Sequence, residues 1–520
     1  MKIKFLIITL IVSINTYAQS TIQWQKCLGG TSYEGATSVQ QTADGCYILS
    51  GYASSSDGDV TGLHLISLDY WIVKIDSLGA IIWQKCLGGT DIELAKSIQQ
   101  TADGGYIVAG KAWSNNGDVS GNHGGSDYWV VKLDNIGTIQ WQKCLGGTAY
   151  EEASSIKQTN DGGYIVAGNS SSNNGDVTGN HGGGDYWIVK LDKLGDIQWQ
   201  KCLGGKDEES LACIQQTAEG GYIVAGYSKS NDGDVTGLNG TADYWIVKLD
   251  DLGEIEWQKC LGGTIAQFAN SIQQTTEGGY IVAGSSFSND GDVRGNHGGS
   301  DYWIVKLNNV GVIQWQKCLG GTSQDNASSI RQTADKGFIV AGSSSSNDLN
   351  VAGNHGGLDY WIAKLDSVGA VQWQKCLGGT DEESATSIQQ TNDGGFIVAG
   401  DSKSKDGDVT GNHIYRDYWI VKLSPSVGGG VGINEPLVDE KSITIFPNPA
   451  NNQLNIYTST VLDKLVTVSV INVFGETVQS ENIVVNGNEQ LNIKNLATGF
   501  YFLQIKTENG TVVKRFVKEF

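Results

Sequence analysis

The sequence predicts an all-β chain: a seven-bladed β-propeller of four-stranded blades, closed by its N-terminal strand, followed by a small C-terminal β-sandwich. Three observations predict it. The segment Trp-Gln-Lys-Cys-Leu-Gly-Gly begins at Trp24, Trp83, Trp141, Trp199, Trp257, Trp315 and Trp373, a spacing of 59 residues once and 58 thereafter. Asp-Tyr-Trp recurs in step, from Asp69, Asp127, Asp185, Asp243, Asp301, Asp359 and Asp417. The array is also out of phase at its ends. It opens on a fourth-type strand, Ile22 to Leu28, and closes on a third-type strand, Asp417 to Leu423. Each strand type is then present seven times only if the first strand completes the last blade, which closes the ring and leaves no sheet edge exposed. An open solenoid would need distinct polar caps, and none is evident.

Within the third repeat four runs read as strands: Ala153 to Thr159, Tyr164 to Gly168, Asp185 to Leu191 and Ile197 to Leu203. Asn160-Asp161-Gly162-Gly163 makes a tight turn between the first two, and a long Ser/Asn/Gly/Asp loop joins the second to the third. The third run is apolar on both faces, as a strand packed between neighbouring sheets must be. The first is small and partly polar (Ser154, Ser155, Gln158), which suits the strand nearest the axis. Four prolines occur in 520 residues, all at or after Pro425, so nothing in the array deletes a ladder donor.

The formal charge of −21 disfavours nucleic acid and anionic membrane surfaces as partners. Lys2 and Lys4, the apolar stretch Phe5 to Ile14 and Thr16-Tyr17-Ala18 read as a secretion signal, residues 1–18. No later segment reads as membrane-spanning. Seven of the nine cysteines share one repeat position, which holds them apart and makes pairing unfavourable. They read as small semi-buried strand residues.

The stretch Leu191 to Trp199 resembles the turn-and-tryptophan unit of quinoprotein-type (PQQ-like) propellers, over about twenty residues of each repeat. The resemblance implies a tryptophan docked between blades; it does not imply a quinone cofactor. After the propeller (19–424) comes a Ser/Gly/Pro linker (425–438), and residues 439–520 form the last domain, with alternating runs such as Leu465 to Val473 and Phe500 to Lys506. Here Phe446, Pro447, Asn448 and Pro449, then Leu454-Asn455-Ile456, then Gly475 and Glu476, then Gly499 and Tyr501 occur in that order. The arrangement resembles the type A C-terminal sorting domain of the type IX secretion system of Bacteroidetes. That resemblance implies the type IX machinery as partner, and a protein that is secreted or attached to the outer-membrane surface.

Within the propeller, both long connections of each blade fall on one face, so a site is expected there. Asp232, Asp234, Thr236 and Asp243 occupy places 1, 3, 5 and 12 of a loop with glycine at 6, and Asp406, Asp408, Thr410 and Asp417 repeat the pattern. Two readings stand: a calcium loop, which would make calcium the one cofactor, and a glycine-rich loop pinned by Asx turns. Four oxygens are named where calcium needs six or more. The six histidines, one per loop, read as loop packing, with a ring of metal ligands or a pH-sensitive rim as the alternative. The pairs Glu151-Glu152, Glu208-Glu209 and Glu382-Glu383 read as solvated surface. Leu63, Leu65 and Ile66 in the first repeat and Leu238 and Asn239 in the fourth mark the most divergent long loops. No catalytic constellation is recognisable. Sevenfold copying favours a multivalent binding or adhesion protein for a glycan or protein ligand over a secreted polysaccharide hydrolase or lyase, or a structural surface component.

Overall fold

The computed structural model describes residues 20–64, 67–425, 443–458, 465–472, 477–484, 488–507 and 510–519. The expected signal, all but the first residue of the expected linker, and Leu65, Ile66, Gly475 and Glu476 lie outside them. Two compact units result, the repeat array and the C-terminal strands.

The array forms seven four-stranded antiparallel sheets. Blade I runs Glu34–Gln41, Tyr47–Ala53, Asp69–Ile75 and Ile81–Leu87, and blades II to VI repeat it. Blade VII takes Glu383–Gln390, Phe396–Ser402 and Asp417–Leu423 from the end of the array and completes itself with Ile22–Leu28. The closing pair is antiparallel, from Ile22 opposite Leu423 to Leu28 opposite Tyr418. Just outside it, Ser424 N donates to Thr21 O at 2.9 Å and Ser20 Oγ to Ser424 O at 2.9 Å. The ring closure expected from the phase of the repeats is present.

In blade III the third and fourth strands match their expected limits. The first begins two residues early, as Glu151–Gln158, with a bulge between Ala153 and Ser155. Glu151 looks like a loop residue because it is charged, yet its side chain is fully buried and accepts from Gly147 N at 2.8 Å and Ser170 Oγ at 2.8 Å. A carboxylate can be buried this way when hydrogen-bond donors replace its lost water. Glu209 and Glu383 are buried in the same place, which corrects the solvated reading of these pairs.

Blades are joined by an aromatic contact copied around the ring. The tyrosine of each Asp-Tyr-Trp lies 4.5–4.6 Å, centroid to centroid, from the tryptophan of the next. Its hydroxyl donates to that tryptophan's carbonyl at 2.9–3.1 Å, and Tyr418 closes the ring onto Trp71. The hydroxyl passes over a glycine in the second strand of the next blade. A Cβ on Gly226 would sit 2.6 Å from Tyr186 Oη and closer still to Ser210 O. The fourth-strand tryptophan makes a second joint: Trp24 meets Tyr47 edge-on at 5.9 Å and donates to Ser77 O at 3.0 Å. A third joint lies at the hairpin end. The last glutamine of every inner strand accepts from a backbone N–H of a neighbouring blade's hairpin at 2.8–2.9 Å.

All nine cysteines are free. Burial pushes the thiols of the repeated position far up, to about 12 for Cys86, so they are unreactive.

The C-terminal unit pairs a three-stranded sheet (Ile443–Phe446, Gln453–Thr458, Asn488–Asn492) with a four-stranded one ordered Thr477–Val484, Leu465–Asn472, Gly499–Thr507, Gly510–Lys518. Leu454, Ile456, Val468, Val470, Leu503, Ile505 and Phe516 form its core.

Two substitutions test the joint between blades by thermal and denaturant unfolding. Gly226→Ala is expected to destabilise by about 2–3 kcal/mol through overpacking, and Tyr186→Phe by about 1 kcal/mol through the lost buried hydrogen bond. Wild-type stability in both would show that the hydroxyl does not join the blades.

Candidate functional site

The two long loops of each blade are tied to one another, so they build one face. In blade IV, Lys206 N donates to Asp232 Oδ1 at 2.9 Å and Gly204 N to Asp234 Oδ2 at 3.2 Å. Gln258 Nε2 donates to Thr236 Oγ1, and Asn239 N to Asp243 Oδ2 at 2.7 Å. Blade VII repeats this. Asp406 accepts from Thr380 N at 2.8 Å, Asp408 from Gly378 N at 3.4 Å, and Thr410 Oγ1 from Gln25 Nε2. The structure therefore brings the four oxygens of each loop to four different donors. Among the described residues, no group of three or more His, Cys, Asp or Glu is placed to hold a metal ion.

Asp417 is bound instead by His413, Nδ1 to Oδ2, at 2.7 Å. The same pair, at 2.6–2.7 Å, involves His64, His123, His181, His297 and His355. On its other side the ring approaches an aspartate of the following blade: His64 Nε2 lies 3.6 Å from Asp118, and His181 Nε2 3.9 Å from Asp234. The histidines are thus loop-packing residues that bridge blades. Oδ1 of the paired aspartates finds no donor. Burial accordingly raises the Asp185 pKa even against its histidine, and pushes Asp243, which has no histidine, up to about 6. Partial burial pulls the His181 imidazole down, but the Asp185 hydrogen bond and charge outweigh it, and its pKa is raised above 6.5; His413 behaves alike beside Asp417.

Around the axis on this face the repeats stop copying one another. The second residue of the inner strands is Gly35, Leu94, Glu152, Ser210, Phe268, Asn326 and Ser384 in turn. The sixth of the second strands is Tyr52, Lys111, Asn169, Tyr227, Ser285, Ser343 and Asp401. These two columns meet between blades. Glu152 holds Lys96 at 3.0 Å and Lys111 at 2.5 Å, both from blade II. Tyr227 meets Phe268 edge-on at 4.9 Å. Arg416 clamps Asp401 and reaches Glu382 at 2.9 Å, while Tyr415 stacks on Tyr33 at 5.0 Å across the closing joint. Glu208 pairs with Lys229 at 2.7 Å. Sequence reading took Glu152, Glu208 and Glu382 for solvated surface and passed over the others because each is unremarkable alone; the signal was divergence at fixed places in otherwise copied strands.

In the C-terminal unit the proline motif is fixed to the last strand. Asn448 Nδ2 donates to Arg515 O at 3.0 Å and its Oδ1 accepts from Val517 N at 3.0 Å. Pro447 and Pro449 flank it, each after a cis peptide bond, and Phe446 remains partly exposed. Gly499 starts the strand that carries Tyr501, whose hydroxyl donates to Ala497 O at 2.9 Å and whose ring stacks on Phe516 at 5.7 Å.

Residues 444–519 match the secretion system C-terminal sorting domain. The chain is therefore exported through the type IX system, to be secreted or held at the outer-membrane surface. No helix among the described residues is long and apolar enough to cross a membrane. The chain is similar to the regulatory protein FlaEY of Caulobacter vibrioides, 24% identical over 408 residues, which cover 69% of this chain and 41% of that protein. The chain thus spans about two-fifths of that relative's length. Among solved structures, the Neurospora crassa Pan2 WD40 domain has a TM-score of 0.42 at 11% identity, covering 78% of this chain and 96% of that one. Puromycin hydrolase has a TM-score of 0.44 at 10% identity, covering 82% and 59%. The propeller architecture rests on the sheet order, which needs no support from these likenesses.

Two predictions follow the geometry. A histidine raised in the folded state stabilises it below 6.5, and that contribution is lost as pH rises through the folded value. The ring resonances of His181 and His413 are expected to titrate above 6.5, with stability falling through that midpoint; titration at or below 6.5 contradicts the aspartate pairing. Removal of residues 439–520 is expected to leave the protein in the periplasm, read by cell fractionation, and undiminished export would refute the tail's role.

Proposed function

We propose that this protein is a non-enzymatic binding module, delivered outside the cell, that holds a glycan or protein ligand at the long-loop end of the propeller axis. One observation carries the reading: the columns in which the blades differ converge on that mouth, while the columns that build the blades are copied. Seven divergent copies make one asymmetric surface, which is what discrimination between ligands requires. The repeated loop groups, by contrast, are occupied by their own hydrogen bonds, which argues for one composite site over sevenfold weak contacts.

The chemistry of the mouth suits a sugar or a polar protein surface. Tyr33, Tyr150, Phe287 and Tyr415 are all at least one-third exposed, and aromatic rings cover the apolar faces of sugar rings while carboxylates and amides take the hydroxyls. Asp401 is the acid to weigh for catalysis, since burial pushes it up to about 6. It is buried and clamped by Arg416, so it is placed to hold the mouth together and not to reach a substrate.

A glycan array probed with the full chain tests the reading. A limited set of ligands should bind. Tyr33→Ala with Tyr415→Ala should weaken binding about thirtyfold, in keeping with roughly 1 kcal/mol per lost aromatic contact. Leu78→Ala, on the hairpin face and 72% exposed, should have no effect. Sustained turnover of a polysaccharide by the same protein would replace this reading with an enzymatic one.

A further inference from the structure

At its other end, toward the tight hairpins, the axis opens into a cavity of about 760 Å3 lined by all seven inner strands. The penultimate residue of each inner strand faces it. In five blades this residue is glutamine: Gln40, Gln99, Gln215, Gln273 and Gln389. Each turns Oε1 to a neighbouring inner strand and accepts from its last backbone N–H at 2.7–2.9 Å. Their Nε2 groups make no hydrogen bond among the described residues, so each is left as a free donor at the cavity wall.

The other two blades carry cations, Lys157 and Arg331. Arg331 Nη1 donates to Ser271 Oγ at 3.0 Å and Ile330 O at 2.7 Å, and meets no carboxylate. Lys157 Nζ has no partner among the described residues. The cavity lining contains no aspartate or glutamate, although the chain as a whole carries a net charge of −21. The acids of the hairpins around it each have a partner of their own, two of them on glutamines of the cavity rim. Asp103 and Asp161 hold Lys132 and Lys190, and Glu219 and Glu277 accept from Gln274 and Gln332. Part of the Lys157 side chain stays open to the cavity, but protein surrounds it. That enclosure lowers its pKa, against a lesser pull upward from Cys213, and the charge of Arg331 adds a still smaller push downward.

Two like charges in a confined space, without a counter-ion and ringed by N–H donors, form a receptor for negative charge. We propose that the axial cavity binds a small organic anion, its carboxylate, sulfate or phosphate group held between Lys157 and Arg331 and its remaining oxygens met by the glutamine amides. The volume lies within the range of small-molecule sites and exceeds what a bare inorganic ion fills. This site is separate from the ligand mouth, and either can fail without the other.

The test uses the full chain in calorimetric titrations at matched ionic strength. The probes are inorganic phosphate, inorganic sulfate, glucuronate, a sulfated oligosaccharide, and glucose as the neutral control. Anions should bind and glucose should not. Binding of glucuronate or the inorganic ions identifies a free small anion as the ligand. Binding of the sulfated oligosaccharide alone identifies an anionic group borne on a longer chain. The variant Lys157→Gln with Arg331→Gln gives both blades the residue that the other five carry, so it should fold with equal or higher thermal stability. It should bind anions at least about tenfold more weakly, given the strength of charge-assisted hydrogen bonds. If no anion binds the wild-type protein more tightly than chloride does, or if the variant keeps wild-type affinity, the proposal is wrong.

Discussion

A tyrosine hydroxyl on the carbonyl of the next blade's tryptophan is the contact on which the disc depends. It needs three things at once: a ring in contact with the tryptophan, a hydroxyl reaching past it, and a glycine in the neighbouring second strand. None of the three tolerates change alone, because the buried hydroxyl must be satisfied and the space over the glycine is already filled. Since the same joint closes every blade onto the next, the tyrosine, tryptophan and glycine that make it are the same in every blade. Elsewhere in these strands the blades exchange small or apolar residues, and the widest variation lies at the two ends of the axis and in exposed turns.

This constraint explains what the sequence made legible. The period, the turns and the apolar third strand identify the blade, and the phase of the ends identifies the closure; all of these come from residues under the packing constraint. Charged residues were the hard part. Glu151 reads as surface because carboxylates are rarely buried, and its neighbour Glu152 reinforces that impression. In the structure the two point in different directions, one into the loop backbone and one to the lysines at the mouth. Adjacent positions in a strand face opposite sides, so a pair of like residues conceals two different roles.

The candidate sites were less legible for a related reason. The loop pattern of Asp232, Asp234, Thr236 and Asp243 has the spacing of a chelate, but spacing along a loop does not say where each oxygen points, and here each of the four residues gives an oxygen to a donor of its own. Lys157 and Arg331 left a fainter mark, two departures from a glutamine column. Their meaning comes from the ring, because only closure brings residues from opposite blades to one cavity.

The closing strand carries a consequence for biogenesis. Trp419 donates to Gln25, a residue 394 positions earlier in the chain. Contacts between such distant segments form late, since the intervening loop must first be ordered. The first strand of the array therefore waits, unpaired, until the seventh blade is available to it. During that interval both ends of the array offer open ladder edges to any other extended polypeptide, so the chain is most exposed to wrong pairing in the stretch before the disc locks.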